Sequence, residues 1–136
     1  MSLYPLALTT RSAQRALGAA SAESRTAALR ALDVLLDSRS EAILQANQDD
    51  LSAAAAEGLS APLLSRLGLN AAKLQTLRSG VQALVQTDDP IGQPLRRTQL
   101  DEGLQLTQVS SPLGVLLVIF ESRPDAVVQI ASLAIR

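Results

Sequence analysis

The chain has 136 residues and a formal net charge of −1, a length that suits one domain with a core rather than two. Neither cysteine nor histidine occurs, which excludes disulfides, thiolate metal sites, a cysteine nucleophile and the commonest neutral-pH general base within these residues. Balanced charge, no basic block and only two aromatic residues, Tyr4 and Phe120, argue against nucleic acid as a partner.

With 47% apolar residues and so few rings, burial must come from Leu, Ala, Val and Ile, as in helix-on-helix packing. The N-terminus lacks a basic region ahead of a long apolar core, and no run approaches the roughly 18 apolar residues of a membrane span. The expectation is a soluble, cytoplasmic protein with no membrane partner.

The first two-thirds read as helices. Over residues 9–20, Ala13, Ala16, Leu17 and Ala20 recur at helical spacing, with Gly18 weakening the pattern. A second helix is predicted over 22–37, with Leu29, Leu32, Leu35 and Leu36 in one stripe and Arg25, Arg30 and Asp33 on other faces. Ser38 or Ser40 can cap a third, whose Ile43, Leu44, Asn47 and Leu51 share a face before Gly58 ends it. Residues 60–68 make a short piece, with Ser60 as cap, Pro62 in the first turn and Gly68 as stop. Asn70 then caps a helix aligning Leu74, Leu77, Val81, Leu84 and Val85, which ends before Asp88-Asp89-Pro90. No fixed-period repeat runs through these segments, which argues against a solenoid.

After Pro90 the period changes. Residues 95–100 and 104–109 are β-capable runs joined by Asp101-Glu102-Gly103, a hairpin signal. Adjacent Arg96 and Arg97 and imperfect alternation point to an exposed or edge hairpin. Residues 115–120 are apolar on both faces and predict a strand covered on both sides, as in a parallel sheet. Val127, Val128, Ala131, Leu133, Ala134 and Ile135 then suit a mostly buried helix over 125–136. Strand, polar turn and helix are the opening half of a βαβ unit. A parallel sheet needs a further strand after the crossover, so either another chain covers this one or the 136 residues are a piece of something longer. The second reading is the expectation.

Glu121, Ser122 and Arg123 fall where open α/β sheets collect ligands, at the carboxyl end of a strand and the start of a helix. Arg123 is a fixed cation whose planar donors suit phosphate or carboxylate. Ser122 can accept from the helix N-terminus or donate to a ligand. Glu121 can hold Arg123 or meet a hydroxyl, and Pro124 opens the helix. The same residues also read as a plain helix cap, with Asp125 complementing the dipole in the first turn. Arg96-Arg97 and Asp49-Asp50 read as solvated faces. Asn47 lies on an apolar stripe and reads as a satisfied buried amide or a contact with a neighbouring segment rather than a catalytic group.

The string "SPLGVLLVIFESRPDAVVQIASLAIR" closely resembles a segment of the γ-glutamyl phosphate reductase family that runs Pro-x-Gly-Val, apolar strand, Glu-Ser-Arg-Pro. Upstream, "ILQANQDDL", "APLLSRLGLN" and "GLQLTQVSSPLGV" are similar to further family segments, so the resemblance covers about residues 11–136. It implies the α/β fold of the aldehyde dehydrogenase superfamily. Residues 1–90 would be its N-terminal helical region, 91–111 a hairpin arm for subunit association, and 112–136 the first strand-helix unit of a Rossmann-like NADP-binding domain.

The implied reaction is NADPH-dependent reduction of L-glutamate 5-phosphate to L-glutamate 5-semialdehyde and phosphate, in proline biosynthesis. A cysteine thiolate expels phosphate and hydride collapses the resulting thioester, while the protein supplies positioning and oxyanion stabilisation. Arg123 falls near the position where related aldehyde dehydrogenases carry an oxyanion-hole asparagine, and a guanidinium there can serve oxyanion and leaving phosphate. Phe120, Glu121 and Ser122 would be cofactor-side residues, and no metal is implied. A homo-oligomer and association with glutamate 5-kinase, separate or fused, are the expected partnerships. The family's cysteine lies beyond position 136, so the chain alone is not expected to turn over substrate.

A rival reading is a non-catalytic helical module for interaction or oligomerisation. A third, a relative acting on free aldehydes, fits less well because that branch usually carries Pro-Trp-Asn at the turn, and this chain carries the string Glu-Ser-Arg-Pro.

Overall fold

Leucine and valine at three- and four-residue spacing build most of what is observed. The computed structural model describes residues 3–136, which hold six helices and one hairpin. They divide into two units, 3–22 with Asp88–Leu117 and Glu23–Thr87 with Val118–Arg136.

The second unit contains the core. Its helices are α2 (Ala22–Ser38), α3 (Ser40–Ala56), α4 (Ala61–Leu67), α5 (Ala71–Gln86) and α6 (Pro124–Ile135), where α1 denotes the helix Tyr4–Ala19 of the other unit. Leu29 and Leu36 from α2 meet Leu74, Leu77 and Val81 from α5, and Ile43, Leu44, Val128 and Ile135 pack around them. Fully burying one such side chain contributes about 1.5–3 kcal/mol before entropy is counted.

The predicted stripe on α2 needs two corrections. Leu35 is 55% exposed. It lies six residues after Leu29, roughly 120° around the helix from the line through Leu29 and Leu36. Arg25, expected on another face, is only 4% exposed. Four residues before Leu29, it shares that line, and its aliphatic stem can run along apolar surface.

The predicted N-cap positions hold at α4 and α5 and fail at α3. Asn70 caps α5, its Oδ1 accepting the Lys73 N–H at 2.8 Å. Ser60 occupies the α4 N-cap without a side-chain bond. Neither predicted serine caps α3. Arg39 holds that position, Ser40 is already helical, and the Ser38 hydroxyl turns back to the Leu35 carbonyl at 3.5 Å.

Gly58 ends α3 as its position predicts. Its φ is +80°, its N–H donates to the Ala55 carbonyl at 3.1 Å and the Leu59 N–H to that of Ala54 at 3.0 Å. This is a Schellman closure, which needs a left-handed residue. Gly58→Ala is therefore expected to destabilise the unit by about 1 kcal/mol through backbone strain alone, read as a lower urea midpoint at unchanged slope. No heavy atom lies within 4 Å of the added Cβ, so steric crowding does not contribute.

A polar staple ties α2 to α5. Arg78 Nε donates to Asp33 Oδ1 at 2.9 Å, Gln82 Nε2 donates to Asp33 Oδ2 at 2.8 Å, and Arg78 also pairs with Asp37. The Gln82 hydrogen bond, with help from the Arg78 bond and charge and against the effect of burial, holds the Asp33 carboxyl below its ordinary value of 3.8. A depressed carboxylate adds stability that is present above the unfolded pKa and is lost as pH falls through the folded one. Urea melts from pH 5 downward should show this loss, and Asp33→Asn should flatten that limb.

In the other unit, α1 begins at Tyr4, ahead of the predicted start, because Pro5 in a first turn lacks only an N–H that needs no helical partner. No residue of α1 is buried, and Leu3, Tyr4, Leu6 and Leu8 are all more than half exposed. The hairpin forms as read, with β1 (Pro94–Asp101) antiparallel to β2 (Leu104–Val109) and Thr98 opposite Leu106. Gly103, at φ +75°, makes the turn. Ser110 closes the base, its N–H donating to the Gln93 carbonyl and its Oγ accepting the Gln93 N–H, both at 3.0 Å.

Residues 115–120 depart from expectation. They form no ladder, and all six are exposed, Leu117 and Ile119 at 86% and 88%. A strand is defined by its hydrogen-bonded neighbours, and among the described residues the β1–β2 hairpin is the whole sheet.

Candidate functional site at the turn before α6

The apolar run ends in Phe120, and the chain then turns sharply into α6. Ser122 makes that turn at φ +51°, the one non-glycine residue with positive φ among those described. A serine there costs on the order of 1 kcal/mol, so the turn is held against local preference. Arg123 occupies the N-cap position at φ −135° and ψ 79°, and its carbonyl accepts the Ala126 N–H at 3.1 Å. Pro124 follows in the first turn, together with Asp125, whose charge suits the positive end of the helix.

The side chains are laid out as follows. Phe120 is 43% exposed, Glu121 and Arg123 are exposed, and Ser122 is half-buried. Glu121 and Arg123 form no ion pair among the described residues, so of the two roles open to Glu121 the hold on Arg123 is not made. The side chain at the N-cap makes no capping bond either. An unpaired, exposed guanidinium therefore stands at a helix N-terminus, beside a hydroxyl and a carboxylate. Such a set can bind an anion through Arg123 and the helix end, and can meet hydroxyls through Glu121 and Ser122.

Other singled-out residues lie elsewhere. Asn47 is 5% exposed and fully engaged: its Nδ2 donates to the Leu67 carbonyl at 2.9 Å, and its Oδ1 accepts the Leu69 N–H at 2.7 Å. It fastens α3 to the α4–α5 connection, as a satisfied buried amide should. Asp49 and Asp50 are exposed on α3, with Asp49 accepting from Gln45 at 3.0 Å. Arg96 and Arg97 are exposed on β1. Along the middle of α6, Val128 and Leu133 face Thr76, Gly80 and Leu84 of α5 across an open groove lined by no charged residue.

Arg136 was not marked by any sequence signal. Its guanidinium donates to Thr26 Oγ1 at 2.9 Å and Thr87 Oγ1 at 3.2 Å, and also to the Thr87 carbonyl. The end of α6 is thereby tied to α2 and to the end of α5. A lone arginine at a helix end carries no pattern that forecasts such partners.

This arrangement of helices and hairpin has the aldehyde dehydrogenase-like fold, in its mainly helical part. The chain is homologous to gamma-glutamyl phosphate reductase. The crystal structure of that enzyme from Saccharomyces cerevisiae superposes with a TM-score of 0.94 at 37% identity, covering 99% of this chain and 34% of that one. Gamma-glutamyl phosphate reductase of Synechococcus sp. strain WH7803 is 51% identical over 120 residues, 88% of this chain and 28% of that protein. Delta-1-pyrroline-5-carboxylate synthase of Solanum lycopersicum is 44% identical over 131 residues, 96% of this chain and 18% of that protein. No family model matches. The chain thus spans about a fifth to a third of the length of the curated relatives it matches.

Proposed function

We propose that these residues belong to an NADPH-dependent reductase that converts L-glutamate 5-phosphate to L-glutamate 5-semialdehyde and phosphate in proline biosynthesis. The observation that carries the proposal is the likeness to gamma-glutamyl phosphate reductases along almost the whole chain, in sequence and in backbone. In this reading 1–90 is the N-terminal helical region, 91–111 an association arm in a homo-oligomer, and 112–136 the start of the nucleotide-binding domain. Glutamate 5-kinase is the partner proposed for the whole enzyme, and the cytoplasm its compartment. Among the described residues no helix is long and apolar enough to cross a membrane.

The turn fits the edge of a nicotinamide nucleotide. Phe120 offers a half-exposed ring, Glu121 a carboxylate that can accept from a ribose hydroxyl, and Ser122 a hydroxyl. The cofactor, when bound, supplies hydride. Arg123 binds the γ-phosphoryl group or the carbonyl oxygen of the substrate, neutralising charge as phosphate departs. The sequence holds no cysteine, so a nucleophilic thiolate must come from outside these 136 residues.

The purified 136-residue chain is accordingly expected to show no NADPH oxidation with L-glutamate 5-phosphate, whereas the complete reductase shows it. Phosphate-dependent reduction of NADP+ by L-glutamate 5-semialdehyde is the convenient reverse assay. Turnover by the short chain alone would overturn the division of labour, and inactivity of the complete protein would favour the non-catalytic module.

A further inference from the structure

We draw no further inference here: the strongest candidate, the exposed and charge-free outer edge of β2 in the hairpin, belongs to the association already proposed for that arm, and nothing in the structure shows which strand covers it.

Discussion

Replacing Arg123 by alanine in the complete reductase should lower kcat for L-glutamate 5-phosphate by about 10²–10³-fold, the effect of removing one oxyanion donor. The expectation rests on three features of this residue. Its guanidinium has no ion-pair partner among the described residues, it stands at the start of a twelve-residue helix, and it follows a strained turn. Arg123→Lys keeps the charge and loses the planar fork, so it should recover part of the rate and little of any bidentate phosphate binding. Steady-state kinetics separate the two jobs. A fall in kcat at constant KM marks oxyanion stabilisation, and a rise in KM alone marks ground-state phosphate binding. A well-folded alanine variant with both constants unchanged would remove Arg123 from the chemistry.

The largest stability loss is expected at Asn47, far from that turn. Asn47→Leu should cost about 2–4 kcal/mol, because it strands the Leu67 carbonyl and the Leu69 N–H in a half-buried connection. Leucine has the same branched heavy-atom skeleton and leaves no empty space, so the loss does not report a cavity. Denaturant melts of the variant should show a lower midpoint. Amide exchange should rise first at Leu69, whose N–H loses its acceptor. Unchanged exchange there would mean that the connection is held by the packing of Leu69 against the core instead.

Local patterns carried much of this fold. Gly58 and Asn70 end and start helices because a left-handed residue and a short side-chain acceptor each do one local job. The hairpin followed from two β-capable runs around a glycine turn, and Asn47 followed from a polar residue on an apolar stripe. For Gly58, Asn70 and the hairpin the cause lies within a few residues of its effect, whereas at Asn47 the stripe foretold only burial and the partners lie 20 and 22 residues along the chain. The family likeness was legible for the same reason, since Glu121-Ser122-Arg123-Pro124 is a contiguous string.

What depends on neighbours distant in sequence was decided only in three dimensions. Arg25 lies on the buried face and Leu35 off it, because Arg25 is about 40° and Leu35 about 120° around α2 from Leu29, and α5 covers only the Leu29 side. The Arg78 staple to Asp33 and Asp37, and the Arg136 tie to Thr26 and Thr87, join positions with no periodic relation along the chain. Residues 115–120 show the limit most plainly. Their apolar side chains specify burial, but a strand exists only where another backbone offers its N–H and C=O groups, and no such neighbour lies beside them among the described residues. The sequence by itself determined several helix ends, the hairpin and the enzyme family it resembles. The tertiary structure decided which faces are covered, because burial and pairing are properties of two surfaces and a sequence pattern describes only one.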